Sequence, residues 1–149
     1  MEGSAKYNQE ALHLLGGIEG LRALSNCFYD IMAEIPEARR IRDMHPKNLE
    51  PTRENLTLFL CGWLGGPPLY LEKFGSMNLT DIHAHLDINK NDRDMWISCM
   101  EQALDKQGIE EGLKSYLLER LQVPAEKIRA TCQERRQGLP QFIPNPTKK

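Results

Sequence analysis

The sequence has no excess of positive charge. Nineteen lysine and arginine residues stand against twenty-one aspartate and glutamate residues, which leaves a formal net charge of −2. Because phosphate binding needs a concentrated basic surface, the balance excludes nucleic acid as the main partner. A local cluster of Arg39, Arg40 and Arg42 lies beside Glu37 and Asp43. This mixture of signs predicts a solvated face.

A long hydrophobic run is also missing. The uncharged, apolar-rich stretch at residues 58–71 is too short and too interrupted to span a bilayer. Its interruptions are Gly62, Gly65, Gly66, Pro67 and Pro68. The first ten residues are polar and lack the apolar segment of a signal peptide. We therefore expect no membrane partner and a cytoplasmic protein.

The cysteines form no recognisable pair. Cys27, Cys61, Cys99 and Cys132 are far apart, and no Cys-x-x-Cys motif occurs. A zinc site or a thioredoxin-like redox pair is therefore disfavoured. Free thiols in a reducing cytoplasm are the simplest interpretation.

Strand signals are nearly absent, whereas helical periodicity is plain. One helix follows Gly16 and ends near Pro36, and its apolar stripe consists of Leu21, Leu24, Phe28, Ile31 and Met32. A second helix opens with Pro51, a residue suited to a first turn. Its apolar face has the i, i+3, i+4, i+7 spacing of a buried stripe and consists of Leu56, Phe59, Leu60 and Trp63. The Gly-Gly-Pro-Pro run at residues 65–68 ends it.

Two further helices follow. The third begins near residues 89–92, whose polar side chains can cap free N–H groups, and Gly108 closes it. The fourth starts near Glu110, and Pro124 predicts that it is kinked or split there. We expect a partly helical N-terminal extension at residues 1–15, a domain at 16–137 and a disordered tail at 138–149, which begins at Gly138.

The segment between Pro68 and Asn89 does not follow these patterns. After a short apolar helical turn at residues 69–75 it supplies His83 and His85 with few large apolar residues. Three interpretations stay open from these residues alone. The histidines are surface residues of a loop, or they contribute to a zinc site that lacks a third nearby ligand. Alternatively, one of them is the single axial ligand of a haem iron.

Three motifs resemble the truncated globins of the second group. Residues 59–70 read Phe-Leu-Cys-Gly-Trp-Leu-Gly-Gly-Pro-Pro-Leu-Tyr, similar to the family's long distal helix that ends in Gly-Gly-Pro before a tyrosine. Phe28 and Tyr29 resemble its Phe-Tyr pair, and residues 93–100 resemble its tryptophan-bearing helix. The similarity covers roughly residues 16–121. It implies an all-α fold, a shortened globin with two helices packed over two and haem between them.

This resemblance implies a function. Members bind dioxygen, carbon monoxide, nitric oxide and similar gases at haem iron, so we expect oxygen binding or transport, with a reductase as a candidate partner. The haem would be non-covalent haem b, because no Cys-x-x-Cys-His attachment motif occurs. Two alternatives stay open. One is a haem redox enzyme acting on nitric oxide or peroxide, and the other is a cofactor-free helical interaction module.

His83 is the residue that the resemblance assigns to the iron. The family's proximal histidine lies five residues before an isoleucine and thirteen before the tryptophan, and His83 keeps both intervals, to Ile88 and Trp96. His85 keeps neither, so it is expected to be an exposed neighbour or to lie near a propionate. An axial imidazole is neutral, and its other nitrogen would donate to a carbonyl group.

Tyr29 and Trp96 correspond to the family's two distal hydrogen-bond donors. Both also lie on apolar stripes, where an aromatic ring is usually part of the core. As donors, their O–H and N–H groups need a partner when buried, and a gas with negative charge on its outer atom can accept. His45 falls where the family places a further aromatic residue over the pocket. It is a candidate third donor or even a sixth iron ligand.

The remaining candidates are assigned in the same way. Phe28 would pack against the haem ring, Leu56 would close the pocket, and Thr52 fits the distal gate. Phe59, Tyr70 and Lys73 complete the predicted cofactor-binding set. The family's arginine before the proximal histidine is replaced by Ile82. Two alternatives follow: Tyr70, Lys73 or His85 meets a propionate instead, or one propionate faces water.

Overall fold

The computed structural model describes residues 10–75 and 86–142, with side chains described up to Glu134. Within these ranges the chain contains helices and no strand, which confirms the all-α prediction. A helical segment at residues 10–14 leads into the domain. The longer elements are helices α1 (Gly17–Glu34), α2 (Arg39–Asp43), α3 (Glu50–Trp63), α4 (Leu69–Phe74), α5 (Lys90–Lys106) and α6 (Glu111–Phe142), with a 3-10 turn at Pro36–Ala38.

Two pairs of long helices build the core. Helix α1 packs against both α3 and α5, and α5 packs against α6. The short α2 touches α1 and α5, and α4 follows α3 at one edge. Where these surfaces meet, Phe28, Met32 and Leu104 are fully buried. The stripe predicted on the first helix therefore faces the centre of the molecule.

The end of α3 depends on glycine. Gly65 has a φ of 95°, a left-handed conformation that side chains rarely adopt. At Gly66 a Cβ atom would lie 3.0 Å from both the carbonyl oxygen and the Sγ of Cys61. The Gly-Gly pair thus lets the chain reverse tightly against its own helix. As a result α4, and Tyr70 with it, is brought back beside α3.

Helix α5 begins with a capping box. The Asn89 side chain accepts a hydrogen bond from the backbone N–H of Asp92 at 2.8 Å, and the Asp92 carboxylate accepts one from the N–H of Asn89 at 3.0 Å. Two otherwise unpaired backbone donors are satisfied in this way. The start of the helix that carries Trp96 is therefore fixed, close to where the sequence predicted it.

Helix α6 differs from the prediction. It is continuous from Glu111 to Phe142, so Pro124 does not split it, and it extends past Gly138. A proline removes one N–H bond and crowds the preceding turn, but the residues beyond it are held by other contacts. Cys132 is fully buried, and Arg129 pairs with Glu126 at 2.6 Å. Packing of the helix beyond Pro124 outweighs the local effect of the proline.

Two other expectations concern the whole chain. All four cysteines are free, as predicted. Among the helices that the structure describes, none has the length and apolar character needed to cross a membrane.

Candidate functional site

A cavity of about 310 Å³ lies between the two helix pairs. Its wall includes seven of the predicted site residues, namely Tyr29, His45, Thr52, Leu56, Phe59, Tyr70 and Trp96. Other wall residues were not predicted, and they include Ile41, Met44, Asn55, Asp92, Arg93, Leu121, Pro124, Ala125 and Ile128. Residues from α1 to α6 therefore meet around one mainly apolar space, with a few polar groups facing it.

Tyr29 and Trp96 come together at this cavity from α1 and α5. Tyr29 is only 5% exposed, and Trp96 is half-buried. Neither the hydroxyl of Tyr29 nor the indole N–H of Trp96 has a hydrogen-bond partner among the described residues. Burial raises the pKa of Tyr29, although Arg53 opposes this effect. The phenol thus keeps its proton, and the wall holds two neutral donors that can face a ligand.

Phe28 lies behind these donors. Its ring meets Tyr29 edge-on at 4.7 Å and Trp96 at 5.0 Å, measured between ring centroids. Phe28 is fully buried and does not belong to the cavity wall that the described residues form. The structure therefore places it as the support that sets the two donor rings, one layer away from the position expected from the resemblance.

The hydrogen bond of His45 restricts what this ring can do. Its Nδ1 lies 2.8 Å from the carbonyl oxygen of Ile41, and a carbonyl can only accept, so Nδ1 carries the hydrogen. In the neutral ring, Nε2 is then an acceptor. The ring also meets Tyr29 edge-on at 5.5 Å. His45 can therefore donate a hydrogen bond to a ligand from Nε2 only when both ring nitrogens are protonated.

Helix α3 supplies a third side of the cavity. Thr52, Leu56 and Phe59 face it with helical spacing, and Asn55 lies on the same stripe. The Asn55 side-chain oxygen accepts a hydrogen bond from the ammonium group of Lys73 at 3.1 Å. Lys73 itself is exposed and lies outside the wall. Lys73 therefore contacts the cavity wall only indirectly, through its hydrogen bond to Asn55.

Tyr70 closes the edge beside α4. It is buried against Phe59 and Phe74, with ring centroids 6.1 and 4.7 Å away. Burial raises the pKa of its hydroxyl group. Tyr70 is therefore a neutral polar group in an aromatic part of the cavity wall, three residues before Lys73 in the sequence.

The fourth side comes from α6, which the sequence analysis missed. Leu121, Pro124, Ala125 and Ile128 line the cavity with the spacing i, i+3, i+4, i+7. That spacing is visible in the sequence, but the prediction of a kink or split at Pro124 hid it. Asp92 and Arg93 were missed as well, although they precede Trp96 by four and three residues on one helical face.

Charged groups form the rim where α5 meets α6. Arg93 binds both Asp94, at 2.9 Å, and Glu126, and Arg129 binds Glu126 from the other side at 2.6 Å. Hydrogen bonds from Arg129 and Arg93 lower the pKa of Glu126 to about 2. The rim charges are thus paired with one another.

The predicted solvated face of the arginine cluster holds for Arg39 and Arg40, which are both exposed, and less well for Arg42, which is partly buried. Arg39 is 79% exposed and pairs with Asp43 along one helix. Arg42 instead donates to the carbonyl oxygens of Pro46 and Lys47, at 3.1 and 3.0 Å. Arg40 binds Asp92, a cavity residue. Sequence composition could not separate these roles because the partners are main-chain atoms or distant residues.

His83, His85 and Ile82 lie outside the described residues. The chain becomes described again at Leu86, and both Leu86 and Ile88 belong to the cavity wall. The end of the segment that carries the two histidines therefore borders the same space as Tyr29 and Trp96.

Comparison with known proteins identifies close relatives. The family described as bacterial-like globin matches residues 10–130. A group 2 truncated hemoglobin of Bacillus subtilis (strain 168) is 35% identical over 112 residues, which are 75% of this chain and 83% of that protein. Each of the two matches spans most of this chain.

Solved structures agree in fold. The cold-adapted truncated hemoglobin of Pseudoalteromonas haloplanktis TAC125 has a TM-score of 0.75 and 37% identity, with 78% of this chain and 94% of that chain covered. A group II 2-on-2 hemoglobin of Agrobacterium tumefaciens has a TM-score of 0.75 and 32% identity, with 79% and 92% covered. The fold is therefore the two-over-two globin sandwich, as predicted, and neither alternative function is favoured.

Proposed function

This chain belongs to the bacterial-like globin family, as a truncated haemoglobin of the second group, whose members bind haem and gaseous ligands such as oxygen, and from that premise we propose how its own residues do so. His83 holds a non-covalent haem b, and Tyr29 and Trp96 donate hydrogen bonds to the gas. When bound, the haem supplies an iron centre that takes a diatomic gas as its ligand.

The observation that carries the proposal is the pair of donors in the cavity wall. Among the described side chains, the buried polar atom without a partner is the hydroxyl oxygen of Ser25, so the polar atoms of Tyr29 and Trp96 are open to the cavity and available to a ligand. The hydroxyl of Tyr29 and the indole N–H of Trp96 face a cavity and have no partner among the described residues. A ligand that accepts hydrogen bonds would satisfy both groups at once.

The remaining wall suits a flat, largely apolar group with a polar edge. Leu56, Phe59, Leu121 and Ile128 offer apolar side chains from two opposite helices. Tyr70, and Lys73 through Asn55, provide polar groups at one edge, and these groups would hold the propionates of a bound haem. Thr52 lies in the wall at the gate position. Its short side chain leaves an entry route for small ligands.

The cellular role proposed here is oxygen binding or transport in the cytoplasm. Four free cysteines support a reducing compartment. A truncated oxygen-avid haemoglobin from Bacillus subtilis is 34% identical to this chain with a TM-score of 0.71, and 82% of this chain and 98% of that chain are covered. Two donors in one wall support similar retention here. A reductase that keeps the iron ferrous is the protein partner that this role requires.

Visible absorption of the purified protein tests the proposal. We expect a Soret band that His83→Ala abolishes or weakens strongly, because the protein would lose its axial nitrogen ligand. His85→Ala is the matched control, two residues away, and should keep the band. Equal loss of haem in both variants, or loss only in the second, contradicts the assignment of His83.

A further inference from the structure

Arg40 and Asp92 connect two parts of the cavity wall that are distant in sequence. The Nε atom of Arg40 lies 2.9 Å from each carboxylate oxygen of Asp92. A second nitrogen of Arg40 donates to the carbonyl oxygen of Asp87 at 2.6 Å. One guanidinium group of α2 thus binds both the start of α5 and the turn that precedes it.

Asp92 is held firmly at its position. It is 5% exposed and belongs to the cavity wall. Its carboxylate also accepts the backbone N–H of Asn89 in the capping box. A carboxylate in such a place needs a cationic partner, because burial of an unpaired charge is costly. Arg40 supplies that charge, and Trp96 lies one helical turn further along α5.

On the other side of the pair, α2 carries distal residues of the cavity. Ile41 follows Arg40 directly, and its carbonyl oxygen holds the ring of His45 through Nδ1. Ile41, Met44 and His45 all belong to the wall. A shift of α2 would therefore move three wall residues together.

The turn bound by Arg40 is also anchored from α6. The side-chain amide of Gln133 donates to the carbonyl oxygen of Ile88 at 3.1 Å. Arg40 binds the carbonyl of Asp87 in the same turn. This turn lies between the segment that contains His83 and the start of α5, so the two contacts hold the chain in place at that point.

We propose that Arg40 and Asp92 form a positioning pair that fixes the α2 wall, with His45, relative to the helix that carries Trp96. The inference rests on the proposed function, since the pair acts on the pocket that binds the gas. Arg40 is not among the described residues that line the cavity. It acts through Asp92 and α2, and its loss leaves a buried carboxylate without its cation.

The chain offers a matched control at the neighbouring position. Arg39 also lies on α2 and also pairs with a carboxylate, but the two side chains are 79% and 63% exposed and the pair lies within the one helix. Exposed ion pairs of this kind contribute little to the free energy of folding. Arg40→Met and Arg39→Met remove the same guanidinium group and keep a similar aliphatic chain.

The first experiment uses the haem-loaded proteins. The infrared C–O stretch of bound carbon monoxide, which reports the polar surroundings of the ligand, should shift or broaden in Arg40→Met and remain as in the parent in Arg39→Met. Oxygen release should change by about threefold or more in Arg40→Met, because a displaced donor loses part of its hydrogen bond. Arg40→Lys, which keeps the charge, should restore most of the parent behaviour.

A second experiment uses the proteins without haem. Amide hydrogen exchange of residues 87–93 should be faster in Arg40→Met than in the parent or in Arg39→Met. If Arg40→Met does not fold, Asp92→Asn, which removes the carboxylate charge that Arg40 binds, takes its place with the same comparison. Identical infrared bands and exchange rates in Arg40 and Arg39 variants overturn the positioning role. Absence of haem from the parent protein would instead overturn the proposed function and leave the exchange test valid.

Discussion

The donor side and the rim of the cavity differ in how their polar groups are satisfied. On the donor side, Tyr29 and Trp96 present neutral hydrogens that have no partner among the described residues. At the rim, Arg93, Glu126 and Arg129 are charged and bind one another. Leaving a neutral polar group unpaired until a ligand binds costs less free energy than leaving a charged group unpaired. The comparison supports the proposal that the donor side meets the gas, whereas the rim groups contribute to the shape of the pocket.

The strongest test of this comparison removes a donor without changing its ring shape greatly. Tyr29→Phe and Trp96→Phe should each speed oxygen release by about tenfold or more, the size expected for a lost hydrogen bond to a charged acceptor. Carbon monoxide release should change much less, because carbon monoxide carries less negative charge. The double variant should be non-additive, since both donors address one ligand.

Stopped-flow release of both gases from the parent, the two single variants and the double variant measures this. Tyr70→Phe is the control, because it removes a hydroxyl from a different part of the wall and should leave oxygen release nearly unchanged. If oxygen and carbon monoxide release accelerate by the same factor, Tyr29 and Trp96 act only by packing, and the donor side has no special polar role.

A second test addresses the rim. Glu126 has a pKa of about 2 in the folded protein, below its ordinary value of 4.5, because Arg129 and Arg93 bind its carboxylate. Its contribution to stability is therefore present above pH 4.5 and is lost as the pH falls toward 2. Glu126→Gln should lower the melting temperature at neutral pH. The melting temperature of this variant should also fall less than that of the parent between pH 4.5 and pH 2. Oxygen release should stay close to that of the parent.

Thermal unfolding followed by circular dichroism over this pH range provides the measurement. Glu119→Gln is the matched control, because Glu119 is an exposed residue of the same helix with no ion pair among the described residues. A Glu126→Gln variant that keeps the pH dependence of the parent would show that the rim pairs do not contribute. A large change in oxygen release would remove the distinction between rim and donor side.

The sequence predicted the donor side much better than the rim. Tyr29 and Trp96 lie on helices with clear apolar stripes, and their neighbours form motifs that resemble a known family. By contrast, Glu126 and Arg93 are 33 residues apart in the sequence, and no local sequence pattern predicts that they form a pair. Arg40 likewise finds Asp92 across 52 residues. Such pairs follow from how helices pack, which composition and periodicity do not determine.

The error at Pro124 has a different cause. The stripe of Leu121, Pro124, Ala125 and Ile128 was readable, but a general rule about proline took precedence over it. Tertiary packing can outweigh the cost of a proline inside a helix, which is about 3 kcal/mol for the lost hydrogen bond and the crowding together. An unbroken apolar spacing on both sides of a proline is thus a better guide than the proline alone. The proximal site differs again, since His83 was assigned from resemblance and remains a prediction.

The smallest expected effect concerns His45, which lies between the two sides. It faces the cavity as the donors do, yet its Nδ1–H group is already bound to the carbonyl of Ile41, as the rim groups are bound to each other. In the neutral ring the other nitrogen has no hydrogen to give. His45→Phe should therefore change oxygen release at neutral pH by less than about threefold, since no ligand hydrogen bond is lost. His45→Gln, which brings an N–H group to this position, should slow release relative to His45→Phe. Acceleration by His45→Phe as large as that caused by Tyr29→Phe would mean that Nε2 donates to the ligand, and His45 would then belong with Tyr29 and Trp96.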